Sequence, residues 1–162
     1  MQSPRRVMPT TRRPGPDGCP PAPPGGLSAV FVPAGDDADT DAMIRAAVAT
    51  TDAFTDRFNA RDLAGMDALL HFPHVILSGE ELIVWEAPGR MPSTFFEDLE
   101  RTTGWVRTTY VERRAVLVNV RKVHLVVDYT RDRADGSVIS RHRNLWIVTW
   151  DEGRWGIKQR SY

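Results

Sequence analysis

The chain has one cysteine, Cys19, and two lysines, Lys122 and Lys158, in 162 residues. A single thiol cannot form an internal disulfide, and Cys19 sits among Pro and Gly with no nearby histidine to make it a nucleophile. Net charge is also missing. The 21 basic and 21 acidic residues cancel, so no field draws the molecule to nucleic acid or an anionic membrane. No apolar run approaches the roughly 18 residues of a membrane span, and no apolar segment follows Arg5-Arg6 to make a secretory signal. Neither HExxH nor CxxC occurs, so no metal or other cofactor is expected. The expectation is a cytoplasmic protein without nucleic-acid or membrane partners. The scarcity of lysine beside 19 arginines fits a GC-rich genome better than a phosphate-binding surface.

What is present is unevenly spread. Nine of the 12 prolines precede residue 34, with four glycines among them and Gly35 just after, while all five tryptophans lie from Trp85 to Trp155. A Pro/Gly/Arg-rich segment of this kind buries too little apolar surface to offset its ordering entropy. Residues 1–38 are therefore expected to be a disordered tail, either a polyproline ligand for a partner or a non-functional extension. Residues 39–162 are expected to form one domain, which is about the length that a single core supports.

Ile44, Ala47, Val48, Thr51, Phe54 and Phe58 recur at helical spacing, and Asp39 to Asp41 supply cap and first-turn acids, which predicts an amphipathic helix of about five turns. Asp62 caps a short second helix over "LAGMDALL". The strands "HVILS" and "LIVWEA" flank an expected hairpin turn, Ser78 to Glu81. A third helix follows Ser93-Thr94, with Glu97 placed for a capping box. From Trp105 onward the pattern turns to period two and β-branched residues, broken by the hairpin-sized "NVRK", "DRADG" and "DEG". The order is helix, helix, strand pair, helix and a four-stranded meander, an α+β fold.

The first helix running into "NARDLAGMDALLHFPHVILSG", the "DYTRDRADGSVISRHRNLWIVTW" hairpin and the terminal "GRWGIKQRSY" together resemble the NTF2-like superfamily. The likeness is to its SnoaL-like bacterial branch, which includes ketosteroid isomerases, polyketide cyclases and scytalone dehydratase. The resemblance covers about residues 40–162. It implies three N-terminal helices packed on a strongly curved mixed or antiparallel sheet of about six strands. It also implies a cone-shaped pocket, often with dimerisation through the outer face of the sheet. Asp128 falls where the isomerases keep a protonated oxyanion-hole aspartate. Their aspartate base is replaced by Ser78-Gly79, and their helix tyrosine by Phe54, so steroid isomerisation is not expected.

His124 and Asp128 share one face of their strand, about 13 Å apart at about 3.3 Å per residue. If that face lines the cone, His124 is a candidate base and Asp128 an acid or orienting group; if it is the outer face, both are solvated or lie in a dimer interface. Strand 137–150 is apolar on both faces toward its end, which favours one face on the pocket and the other in a homodimer. Trp146 reads as a pocket or a core tryptophan. Arg141 and Arg143 read as a carboxylate clamp or as exposed rim residues.

His71 and His74 have the i, i+3 spacing of a helical metal pair, but Pro73 takes Phe72 out of the helical region. The helix is expected to end near Leu70 or His71, with His74 opening a strand, and only His74 remains a pocket candidate. The reading is a homodimeric protein that binds a hydrophobic or aromatic small molecule. It allows cofactor-independent isomerase, cyclase or dehydratase chemistry at His74, His124 and Asp128. Phe54, Phe58, Trp85, Phe95, Trp105 and Trp146 would form the walls. The alternative is a non-catalytic association module of the same fold.

Overall fold

A computed structural model describes residues 39–119 and 121–162. The expected tail, residues 1–38, lies outside the described residues. The elements follow as α1 Thr40–Asn59, α2 Leu63–Asp67, β1 Leu70–Ser78, β2 Glu81–Trp85, α3 Phe95–Thr103, β3 Arg107–Asn119, β4 Lys122–Asp132, β5 Val138–Asp151 and β6 Arg154–Ser161. The six strands make one mixed sheet in the order β2-β1-β6-β5-β4-β3. The strands of the β3 to β6 meander pair antiparallel, and β6 runs parallel to β1.

Local chemistry accounts for most boundaries. Asp39 accepts a hydrogen bond from the Ala42 amide at 2.9 Å and Asp62 from the Gly65 amide at 2.8 Å, which satisfies free N–H groups at the starts of α1 and α2. Gly104, in the left-handed conformation with φ 74°, ends α3. Gly79, at φ 59°, turns the β1–β2 hairpin, in which Ser78 pairs with Glu81.

Two expectations are corrected. Thr94 is the N-cap of α3 but makes no side-chain cap bond, so the capping box with Glu97 does not form. The chain also becomes extended earlier than expected, with α2 closing at Asp67 and β1 opening at Leu70. The Leu70 carbonyl accepts from Arg154 at 2.7 Å and the Leu69 carbonyl from the Ile157 amide at 2.9 Å. Strand β6 thus captures the residues that helical spacing would have claimed.

The core lies between α1 and one sheet face. Val123, Leu125, Val127 and Tyr129 of β4 point into it with Trp146 and Val148 of β5, all buried, as the period-two geometry of strands requires. Phe58 of α1 packs edge-on against Phe95, Phe96 and Trp105, with centroids 5.0–6.0 Å apart. The edge strand β3 carries two register shifts, between Tyr110 and Glu112 and between Ala115 and Leu117.

Candidate functional site

Helix α1 is fastened over the sheet at several points. The Tyr110 hydroxyl donates to the Thr51 carbonyl at 2.9 Å, and Arg113 pairs with Asp52. The Asn59 amide donates to the Thr108 carbonyl at 2.9 Å and accepts from the Thr108 amide at 2.8 Å. This side chain stands in for the backbone of a neighbouring strand and fixes the end of the helix against the start of β3.

Between these fastenings a narrow cavity of about 40 Å³ remains, room for about three waters at roughly 10–15 Å³ each. Its aromatic wall is Phe54, Phe58, Tyr110, Tyr129, Trp146 and Tyr162. Its polar wall is Thr55, Thr108, Arg131 and Arg160, and neither Asp nor Glu lines it. Burial pushes the Tyr110 and Tyr129 phenols up, which keeps both neutral donors. Tyr129 accepts from the Asn144 side-chain amide at 3.2 Å, leaving its own hydroxyl proton for another acceptor. The indole N–H of Trp146 and the Nε of Arg131 are buried without a hydrogen-bond partner. Buried donors are ordinarily paired; these two belong to residues of the cavity lining, while buried atoms of His71, His124, Asp132 and Arg154 lack a partner elsewhere.

Arg160 is 5 % exposed. Its guanidinium carbon stands 5.2 Å from the Phe54 ring and 5.8 Å from each of the Trp85, Trp146 and Tyr162 rings. Its Nε donates to His74 Nε2 at 3.0 Å. The other ring nitrogen, Nδ1, lies 3.1 Å from the Ile157 carbonyl. A carbonyl only accepts and a guanidinium only donates, so the imidazole is held neutral with its proton on Nδ1. Burial, and then the Arg160 charge, depress the His74 pKa to about 3.

Arg160 reaches this position through an irregularity in β6. Val148 pairs with Ile157 and Ile147 with Gln159, so Lys158 is the extra residue of a bulge. Unbroken alternation from Ile157, which is buried in the core, would send Arg160 to the opposite face; the bulge resets the count and turns it inward opposite Trp146.

The cavity brings together three of the expected residues, Phe54, Phe58 and Trp146. Trp85 covers the His74–Arg160 pair, 5.7 Å from the His74 ring. Phe95 packs on Phe58, and Trp105 is a fully buried core residue whose indole N–H donates to Thr108. His124 and Asp128 sit at the alternate positions of β4, facing away from α1 and the cavity. The pocket alternative left open for these two therefore gives way to the outer-face one, because β4 turns its more apolar side inward. Asp128 holds Arg143 through two hydrogen bonds of 2.8 Å; that guanidinium beside it depresses its carboxyl below the usual range. Tyr129, one residue on, is the one that reaches the cavity. His71 and His74 do not converge: His71 Nδ1 meets the Thr149 hydroxyl at 2.9 Å. Among the described residues no three His, Cys, Asp or Glu side chains are grouped to hold a metal, and no helix is long and apolar enough to cross a membrane.

Arg160, Arg131, Tyr110 and Tyr129 were not singled out from sequence. Tyr129 shares the inward parity of Leu125 and was legible in principle; Tyr110 lies beyond the register shift at Val111, so alternation counted from Ala115 does not place it.

No protein-family model and no curated protein matches the sequence. Solved structures do match the fold. An NTF-2-like protein from Shewanella oneidensis aligns at 9 % identity and TM-score 0.54, covering 70 % of this chain and 93 % of its own. A protein of unknown function with a cystatin-like fold from Nostoc punctiforme aligns at 11 % and 0.59, covering 76 % and 90 %. A ketosteroid isomerase-like protein from Erwinia carotovora atroseptica aligns at 16 % and 0.51, covering 73 % and 92 %. Helices, mixed sheet and strand order together give this chain the NTF2-like fold that its sequence resembles.

Proposed function

We propose that residues 39–162 form a small-molecule-binding domain, a cone of three helices on a curved sheet, whose ligand occupies the aromatic cavity under α1. The observation that carries this reading is the pair of buried, unpartnered donors, Trp146 Nε1 and Arg131 Nε, on the wall of one cavity. A ligand acceptor in the cavity would satisfy donors that the protein leaves unpaired there. His74 serves here to position Arg160: its Nε2 lone pair is taken up by Arg160 and its low pKa makes it a poor base. With no carboxylate on the wall, turnover would rest on hydrogen-bond donation to a developing negative charge, in cofactor-free isomerisation, cyclisation or dehydration. Titrating the protein with a panel of small aromatic molecules is expected to change tryptophan fluorescence saturably, and Trp146→Phe is expected to remove most of that change. A flat response across the panel contradicts the reading.

A second reading, a homodimeric association module, draws on the other sheet face. Leu82, Val84, Leu117 and Leu145 stay exposed there, beside His124 and the Asp128–Arg143 pair. We propose that two copies meet across this face, which is compatible with a ligand in the cavity.

A further inference from the structure

We propose that the ligand of this cavity is a small aromatic carboxylate, its carboxylate held by the free edge of the Arg160 guanidinium and its ring lying against Trp146 and Phe54. The inference rests on the small-molecule reading above and adds the charge and chemical class of the ligand.

The charge balance of the cavity points to an anion. Two arginines, Arg131 and Arg160, are on its wall and no acidic side chain is. Among the described residues neither arginine forms an ion pair. An exposed arginine needs no partner, but Arg160 is 95 % buried, as its 5 % exposure states, and a buried charge without a counter-ion is strongly disfavoured. The four surrounding rings attract the cation through their faces. Ring faces accept no in-plane hydrogen bonds from the guanidinium edge, and among the described residues His74, at Nε, is the one hydrogen-bond partner of this side chain.

The geometry narrows the anion to a carboxylate. Nε is committed to His74 at 3.0 Å, and His74 is itself fixed by the Ile157 carbonyl at 3.1 Å. This two-step brace sets the plane of the guanidinium and leaves the edge formed by Nη1 and Nη2, whose parallel N–H groups match the two oxygens of a carboxylate. Arg131 Nε and Trp146 Nε1, on two residues of the same lining, are further donors without a partner. The rest of the lining is flat aromatic surface, suited to a ring, and because the cavity measures about 40 Å³ a ring enters it only as the lining side chains move apart.

The test measures thermal-melting shifts and fluorescence titrations of the full chain with benzoate, phenylacetate and salicylate, each against its primary amide, with sodium sulfate as a further arm. At least one carboxylate is expected to bind ten-fold or more tightly than its amide. Arg160→Met is expected to abolish that preference, and Arg160→Lys, which keeps the charge but loses the fork, to reduce it several-fold. If amides bind as well as acids, the carboxylate proposal falls and the small-molecule reading stands. If sulfate protects as well as any carboxylate, the site is a generic anion site and the proposal again falls. If neither acids nor amides bind, both fall. Should Arg160→Met fail to fold, the acid-to-amide ratio on the unaltered protein decides alone.

Discussion

His74 is neutral because both ring nitrogens already have partners of fixed polarity, and that has a consequence for acid stability. With a folded-state pKa of about 3 against roughly 6.5 in the unfolded chain, protonation favours unfolding. The stability from the neutral ring is complete above about pH 6.5 and is lost as the pH falls toward 3. Within that window the unfolded state binds up to one more proton, a slope of at most about 1.4 kcal/mol per pH unit. His71, His124 and His142 are also depressed by burial, so the comparison must be between variants. Urea unfolding from pH 4 to 8 is expected to show a shallower acid loss in His74→Gln, which keeps an acceptor for Arg160 but does not titrate there. Parallel curves would contradict the buried neutral assignment.

At the scale of the elements, one fastening of α1 is a double clasp at its C-terminal end. Asn59 makes two hydrogen bonds to the Thr108 backbone, and truncation would leave a partly buried N–H and C=O without partners, at about 1 kcal/mol or more each. Asn59→Ala is expected to lower unfolding free energy by about 2–3 kcal/mol in urea melts, and Asn59→Asp to recover part of it, since the carboxylate can still accept from the Thr108 amide. An unchanged midpoint in Asn59→Ala would mean that the clasp contributes nothing.

The same scale explains what the sequence made legible. The helix caps at Asp39 and Asp62, the Gly79 turn and the meander order were readable because each is local, set by one residue type at one spacing. Arg160 was not. Its direction depends on the bulge at Lys158, and nothing in "RWGIKQRSY" marks which residue is the extra one. The early start of β1 was hidden for a related reason, since it is decided by partners about 85 residues away in β6. The histidines were the visible polar residues and so drew the catalytic expectations, whereas the arginines were discounted as a compositional habit.

For the molecule as a whole, the two sheet faces differ. The inner face and α1 enclose the cavity. On the outer face, Leu82 is 64 % and Leu117 52 % exposed, the kind of apolar surface that marks an interaction site when it is contiguous. If the proposed homodimer forms there, light scattering after size exclusion gives about twice the chain mass of 18.2 kDa. Leu117→Glu combined with Leu145→Glu is expected to halve that mass while leaving far-UV circular dichroism unchanged. A monomeric unaltered protein, or a double variant that stays dimeric, would remove the outer face from the proposal.

Among the described residues, strand β3 ends the sheet on one side with 13 residues, a length of edge backbone that could template the addition of further chains. Its two register shifts twist the ladder, and Glu112, Arg113 and Arg114 crowd its middle with charge, both features that discourage a seventh strand. For the proposed homodimer, this steers association from edge to face, so that two copies would pair and stop instead of growing into a fibre.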